Sequence, residues 1–572
     1  MALKQQSPWR PKSIILRSFT ALTAFFFITT ILFTSVLTKI SSCFSSSSFS
    51  TCFSSSPRWQ AVQGPIASLF SSDPALKDKL LFRLLDIDAS VFKSPELSSD
   101  EMAALIEKKA PNLPARFWEK YSNRGLAKNS TCAKFPSLYK LKYVDTHWQE
   151  LQTVDGPFYL FGAYFDNRTL VEHAPSVRII GQIAKIKINT TLFCQLWFEE
   201  HKEPAFAPIY EHRYLWNPAM GLYYNGVLQP YMLACQVPAD FKHDVPQAVS
   251  VVERPCDMAK TNLKVFNNLP QSGHKEDFAV CVKGISLPFV DFSVRLVEWL
   301  ELLFILGVNK VIFYDYDMHP NISKVLRYYE KQGRVEVIKL PLTGGQPNAF
   351  GLLNKYLSFI SYGKDHQETV PYNDCFLKNI NRYKYISIID VDEIILPKNS
   401  SSWKTLMDVV VPKALNESQE LTPSNYVMRH VYFLDDMGHG NETVPNVPRY
   451  MHMLQHVYRS PNYNKKTHYI KCFHDTERVL TVHNHFPLSC IGGKCASYFV
   501  DTADAQLQHY RKYCINGLVK VCEAEYRNNS VLDTTILRYK DTLISGVTEA
   551  LLKMGFLDHF LKQNFDGAAS LK

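Results

Sequence analysis

Between Phe278 and Ile389, short apolar segments alternate with segments of helical period, and this alternation constrains the fold more than any other feature of the chain. Phe278–Val282 (FAVCV), Lys310–Asp315 (KVIFYD), Val335–Leu340 and Tyr385–Ile389 (YISII) have the length and the β-branched and aromatic content of buried strands. Between the first two, Val290, Val294, Val297, Leu300 and Phe304 recur at helical spacing and Gly307 ends the run. Ser323–Gln332 is a second helix closed by Gly333, and further helices are expected around Ala349–Tyr362 and Tyr372–Arg382. Strands alternating with helices predict the α/β class: a doubly wound sheet covered on both faces. Ligands of such sheets bind beyond the carboxyl ends of the strands.

The fourth strand runs apolar to its tip and then presents Asp390-Val391-Asp392-Glu393, before the apolar Ile394-Ile395-Leu396. Asp390 and Asp392 are two apart, so on an extended chain they point the same way. Like charges at a strand end repel and call for a cation or hydrogen-bond donors. A divalent ion bridging two phosphates supplies that cation. A bare D-x-D is common; at the end of a buried strand in an alternating unit it predicts a metal–diphosphate site of the kind that nucleotide-sugar chemistry needs. The plain alternative is a solvated acidic turn.

Further candidates follow from position. His483 and His485, after the strand-like Val479–Val482, lie two apart and can face one side of a strand. His485 is a candidate third metal ligand, with His483 and Glu393 behind it; core or surface histidines are the alternative. Asp435 and Asp436, after the apolar Val431–Leu434, are candidate general bases or turn caps. The turn after strand one, Val282–Gly284 with Lys283, is placed to receive the nucleoside of a donor, and Asp315 at the end of strand two to hydrogen-bond it. Asp390 is expected to serve donor and metal alike.

Before this unit, Tyr159–Phe165, Val177–Lys187, Leu192–Phe198 and Tyr231–Gln236 read as short strands of a small antiparallel β domain. Aromatic residues at 13% suit either such β structure or platforms for the apolar faces of sugars. Ser18–Leu37 is uncharged and long enough to span a bilayer, with Lys4, Arg10, Lys12 and Arg17 before it. The positive-inside rule puts the N-terminus in the cytosol and the rest in the lumen; a cleaved signal peptide is the competing reading. Eight sequons follow the span, at Asn129, Asn167, Asn189, Asn321, Asn399, Asn416, Asn441 and Asn528. So do all 13 cysteines, which suits an oxidising compartment. Cys490 and Cys495, or Cys514 and Cys522, can each close a short loop, with a zinc site from this C-terminal cluster as the alternative. A net charge of +9 without a long basic block argues against a nucleic-acid partner. The expected layout is a cytosolic tail (1–17), an anchor (18–37), a stem and partly helical linker (38–135), a β-rich accessory domain (136–272), a catalytic domain (273–560) and a tail (561–572). It is a layout common among single-pass type II Golgi membrane enzymes, with a secreted or cell-surface protein as the alternative.

The blocks FAVCVKGISLPFVDFSVRLVEWLELLFILGVNKVIFYDYD (Phe278–Asp317), YISIIDVDEIILP (Tyr385–Pro397), VHNHFP (Val482–Pro487) and LQHYRKYC (Leu507–Cys514) resemble the glycosyltransferase family 92 enzymes. The resemblance spans roughly Phe158 to Leu557. It implies a GT-A-like doubly wound mixed sheet and inverting transfer of galactose from UDP-galactose to a glycan or glycoprotein acceptor, in a β1,4 linkage. It also maps the family's D-x-D onto Asp390 and Asp392, with Mn²⁺ or another divalent cation as cofactor. The β domain resembles the part of plant members thought to bind carbohydrate. The rival expectations are another UDP-sugar donor and a non-catalytic luminal glycan-binding protein. Nothing in the sequence sets the oligomeric state.

Overall fold

The computed structural model describes residues 96–558, except 124–131, 202, 222–225, 360, 419–420, 438–442, 467–468, 515–518 and 527–528. The predicted span Ser18–Leu37, the serine-rich stem and the tail lie outside these residues. Among the described residues no helix is long and apolar enough to cross a membrane. The first described helix, Ser99–Lys109, lies in the expected partly helical linker, and its start is capped: the Ser98 side chain accepts from the Glu101 N–H, and the Glu101 carboxylate accepts from the Ser98 N–H.

Eight strands, β1 (Gln149–Thr153), β2 (Gly156–Asp166), β3 (Ser176–Ile183), β4 (Phe193–Trp197), β5 (Ala205–Tyr214), β6 (Gln229–Gln236), β7 (Ala248–Val252) and β8 (Leu263–Phe266), form the expected β-rich part. Their order is β1-β2-β3-β6-β5-β4-β7-β8. The pairings are antiparallel except one: β8 also pairs in parallel with β2 at Ala163 and Tyr164, which closes the sheet on itself. Closure leaves fewer open edges, and the inward residues Phe158, Leu160, Ile179, Leu196 and Leu233 fill the interior.

The second sheet is the predicted doubly wound one. β9 (Glu276–Leu287), β10 (Lys310–Met318), β11 (Val335–Lys339) and β12 (Tyr383–Ile388) are parallel, in the order β11-β10-β9-β12. Beyond β12 the sheet becomes mixed, with β17 (Lys471–Asp475) antiparallel to both β12 and β14 (Asn425–Met428), and β20 (Ser497–Phe499) parallel to β14. The helix Ser293–Ile305 covers one face through Leu296, Trp299, Leu300 and Leu303, backed by the helix Lys540–Lys553. The helix Ser361–Asn379 covers the other face through Tyr372, Phe376 and Leu377.

A third sheet, β13 (Glu393–Pro397), β21 (Ala505–Arg511) and β15 (His430–Leu434), has β21 at its centre. Two short pairs complete the strands, β16 (Tyr458–Arg459) with β22 (Val531–Leu532), and β18 (Val479–Val482) with β19 (Pro487–Cys490). The chain passes from β12 in the large sheet to β13 in the small one through Ile389–Asp392, so the acidic turn sits where two sheets part.

Among the described residues ten cysteines pair, as Cys132–Cys256, Cys194–Cys235, Cys281–Cys375, Cys490–Cys495 and Cys514–Cys522. Both short loops expected from spacing are therefore closed, and these thiols are not zinc ligands. Cys281–Cys375 fastens β9 to the helix that covers it.

Candidate active site

The carboxyl-terminal halves of β9 and β10 and the turn after β12 line a cavity of about 1030 Å³. That volume is in the range of small-molecule sites. Val282 and Lys283 line it as expected, but they lie within β9 rather than in a turn. The strand continues because Gly284–Leu287 pair with Tyr314–Met318 after a register shift at Ile312/Tyr314. Gly284 is required there: a Cβ on it would stand 1.9 Å from the Tyr316 ring, which crosses the strand at that point. The ring and Gly284 together form part of the wall.

Strand alternation puts Tyr316 in the cavity wall and Asp315 outside its lining. β10 runs on to Met318, so Asp315 does not end the strand; its carboxylate pairs with Lys339 of β11 at 3.2 Å. The sequence expectation of a donor contact from Asp315 thus does not match its placement.

Val391 and Asp392 form a turn, so the two aspartates of the motif do not share one extended face. Asp390 is clamped. Lys283 Nζ lies 3.2 Å from one carboxylate oxygen and Lys471 Nζ 3.2 Å from the other. Burial raises the Asp390 carboxyl, but the two ammonium groups outweigh it and hold it well below the usual range. Lys471, fully buried on β17, also reaches Glu393 Oε2 at 3.1 Å and donates to the Asn484 side-chain oxygen. Glu393 opens β13, and burial pushes its carboxyl up.

Asp392 faces the cavity instead. Its side chain is 46% exposed, against 17% for Asp390 and 2% for Glu393. One of its oxygens lies 3.2 Å from His509 Nε2. Burial works to raise this carboxyl, and His509 and the Lys283 charge together hold it below the usual range. His509 is on β21, directly opposite Glu393 in the antiparallel register. His509 lies in the LQHYRKYC block, and its role is hidden in the sequence because only the pairing of β13 with β21 brings it to the motif.

The two other histidines separate. A turn follows β18, closed by the His483 N–H on the Phe486 carbonyl at 2.9 Å. His485 lines the cavity, its Nδ1 3.0 Å from the Ile470 carbonyl oxygen, and burial pushes it down to about 4. His483 is outside the lining, against Trp216 and Phe486.

Asp435 and Asp436 lie in the turn after β15, exposed and outside the lining of this cavity. Asp435 Oδ1 is 3.1 Å from His452 Nε2 and 3.4 Å from His456 Nε2, and Arg295 comes to 3.7 Å of Oδ2. Arg295 lines both the large cavity and a second one of about 460 Å³ that includes His452 and His456. Asp435 itself lines neither cavity, but it contacts residues that line each of them.

As ligands for a divalent cation, Asp392 and His509 fit: an exposed carboxylate oxygen and an imidazole nitrogen converge on the cavity. Asp390 fits less well, since each of its oxygens already faces an ammonium group. Around them Lys283, Arg295, Lys364, Arg511 and Lys512 give the wall the positive charge that a diphosphate requires.

A cation-ready carboxylate–imidazole pair and basic wall at the strand ends of a doubly wound sheet suit transfer from a phosphate-activated donor. Residues 276–546 match the family model described as Glycosyltransferase family 92, just under half of the chain. Over this segment the chain is similar to that family, which supports a glycosyltransferase. No curated protein matches the chain. Among 42 matching solved chains is the crystal structure of S. aureus TarS 1-349, at 13% identity, covering 48% of this chain and 72% of that one. Its TM-score is 0.21, too low to bear on fold or chemistry.

Proposed function

We propose that the protein is a GT-A-type enzyme that moves galactose from UDP-galactose to a hydroxyl of a glycan or glycoprotein, with inversion and a β1,4 linkage. The carrying observation is the half-exposed Asp392 paired with His509 at the mouth of a basic cavity, within the segment similar to family 92.

In this reading Asp392 and His509 hold a divalent cation, Mn²⁺ by preference, with His485 on the same wall. When bound, such an ion supplies positive charge against the charge developing on the departing diphosphate. Lys283 and Lys471 keep Asp390 ionised and fixed, so its oxygens can also accept hydrogen bonds from donor hydroxyls. Lys283, 37% exposed, reaches the same volume and is placed to meet phosphate oxygens. The Tyr316 ring beside Gly284 offers a flat apolar face to a base or sugar. The acceptor enters from the side of the second cavity, and Asp435, oriented by His452, takes the proton of the attacking hydroxyl. Asp436, exposed beside it, is the alternative base. The β-rich part contributes to acceptor binding.

We place the chain in the Golgi membrane, anchored by Ser18–Leu37 with its body in the lumen. Five disulfides among the described residues and exposed sequon asparagines at 167, 189, 399 and 416 support that compartment. The test is a donor panel of UDP-galactose, UDP-glucose and UDP-GlcNAc with purified protein and glycan acceptors. UDP release and transfer are expected from UDP-galactose. Preference for another donor corrects the specificity, and release from none removes the enzymatic reading.

A further inference from the structure

Behind the Asp392–His509 pair lies a buried group with no role in the chemistry above. His430 on β15 stacks on His509, ring centroids 4.7 Å apart and planes within 9°. His430 Nε2 lies 2.8 Å from His509 Nδ1. Glu393 Oε1 lies 3.4 Å from that same Nδ1 and 3.5 Å from His430 Nε2. The His430 and Glu393 side chains are each 2% exposed.

A contact of 2.8 Å between two ring nitrogens holds one proton. If His509 Nδ1 carries it, neutral His509 presents a bare Nε2 lone pair to the cavity, beside Asp392. If His430 Nε2 carries it, His509 is protonated on Nε2, donates to Asp392 and has nothing to offer a cation. An ionised Glu393, 3.4 Å from one nitrogen and 3.5 Å from the other, accepts from whichever carries the proton, and a cation on Asp392 selects the first arrangement. The stack fixes the ring plane, and strand register supplies both partners: Glu393 is opposite His509 on β13, and His430 is two residues before Tyr432, opposite His509 on β15.

We propose that His430 is a positioning residue which, with Glu393, fixes the ring orientation and proton-bearing nitrogen of His509 so that Nε2 faces a cation on Asp392. This rests on the reading above that Asp392 and His509 hold a divalent ion. Outer groups of this kind commonly change metal affinity by about 10- to 100-fold when removed. The three groups Glu393, His430 and His509 also lie close enough to hold an ion directly, and direct ligation by His430 is the competing arrangement.

The test is Mn²⁺ affinity of the full-length protein, followed by electron paramagnetic resonance without donor or acceptor, for wild type, His430→Phe, His430→Gln and Glu393→Gln. Thermal melts identify the folded variants. His430→Phe keeps a stacking ring and removes the nitrogens; it should weaken Mn²⁺ binding by about 10- to 100-fold. His430→Gln, whose amide can accept from His509, should recover most of the affinity, and Glu393→Gln should fall between. Transfer by folded His430→Phe should return at high Mn²⁺. Wild-type affinity in folded His430→Phe overturns the positioning role. Complete loss in both His430 variants overturns it in favour of direct ligation. A wild type that binds no Mn²⁺ overturns the donor-site reading itself, and this inference with it.

Discussion

Asp390 and Asp392 are near neighbours with different partners, and the difference separates stability from activity. Asp390→Asn leaves Lys471, fully buried, with only one of its two carboxylates, and removes the partner of Lys283. Breaking a buried ion pair in this way costs about 3 kcal/mol. Asp392→Asn keeps the shape of a half-exposed side chain and should change stability by less than about 0.5 kcal/mol. Urea denaturation of both variants checks the contrast; equal losses would mean that the lysine clamp does not hold Asp390 in solution. The motif was legible because a strand ending in three carboxylates is a local pattern. His509 was not, since it lies 117 residues after Asp392 and meets it only through strand register. The clamp was hidden likewise: Lys283 comes from β9 and Lys471 from β17, and sequence spacing alone converges neither on Asp390.

The strand–helix alternation gave the parallel strands and their covering helices, because period and length are local. Their extents were harder to read. β9 runs through the expected turn at Val282–Gly284 because its neighbour β10 also continues, and pairing decides where a strand stops. The helix Ser361–Asn379 starts well before the expected Tyr372 and carries Pro371 inside it. The helix Ser293–Ile305 contains a group that its sequence pattern disguises. Glu298 is buried, and its carboxylate accepts from the backbone N–H groups of His452, Met453 and Leu454 at 2.5, 3.0 and 3.1 Å. Burial pushes its carboxyl up from 4.5 to about 7, against those hydrogen bonds. The folded state thus binds this proton more tightly than the unfolded one. The resulting stability is present in full below pH 4.5 and is lost as pH rises through about 7. The loss amounts to about 3 kcal/mol. Glu298→Gln does not ionise and keeps an acceptor for the three N–H groups. Denaturation at pH 5 and 7.5 should show the variant losing less stability than wild type over that interval. Parallel pH profiles would contradict the shift.

At the scale of the whole molecule, the β-rich part and the catalytic part share a core. Phe161, Tyr164, Ile180 and Met232 of the closed sheet pack with Ile312, Tyr314, Tyr372 and Phe376. The hydroxyls of Tyr164 and Tyr314 both donate to buried Asp374, and Trp148 Nε1 donates to the Pro341 carbonyl at 2.8 Å. The sequence marked the change of period near residue 273 as a domain boundary, since a change of period is visible in sequence and a shared interface is not. A fragment of residues 276–558 would expose one face of this core and leave Asp374 without one tyrosine partner. Expressed alone, it should show no cooperative thermal transition, whereas a fragment from residue 97 should melt cooperatively. A cooperative melt of the shorter fragment would make the two parts independent domains.

Sugar transfer from UDP-galactose by wild type and Asp392→Asn across a Mn²⁺ titration, with EDTA as control, tests the central claim most directly. The claim is that Asp392 faces the cavity to hold a cation for the leaving diphosphate. Wild-type activity should vanish in EDTA and return with Mn²⁺. The folded variant should be slower by roughly a hundred- to a thousandfold, the effect of losing one electrostatic stabiliser worth about 3–4 kcal/mol, with little recovery at high Mn²⁺. Wild-type transfer that survives EDTA, together with an unimpaired variant, would contradict the account and leave donor binding to the basic wall alone.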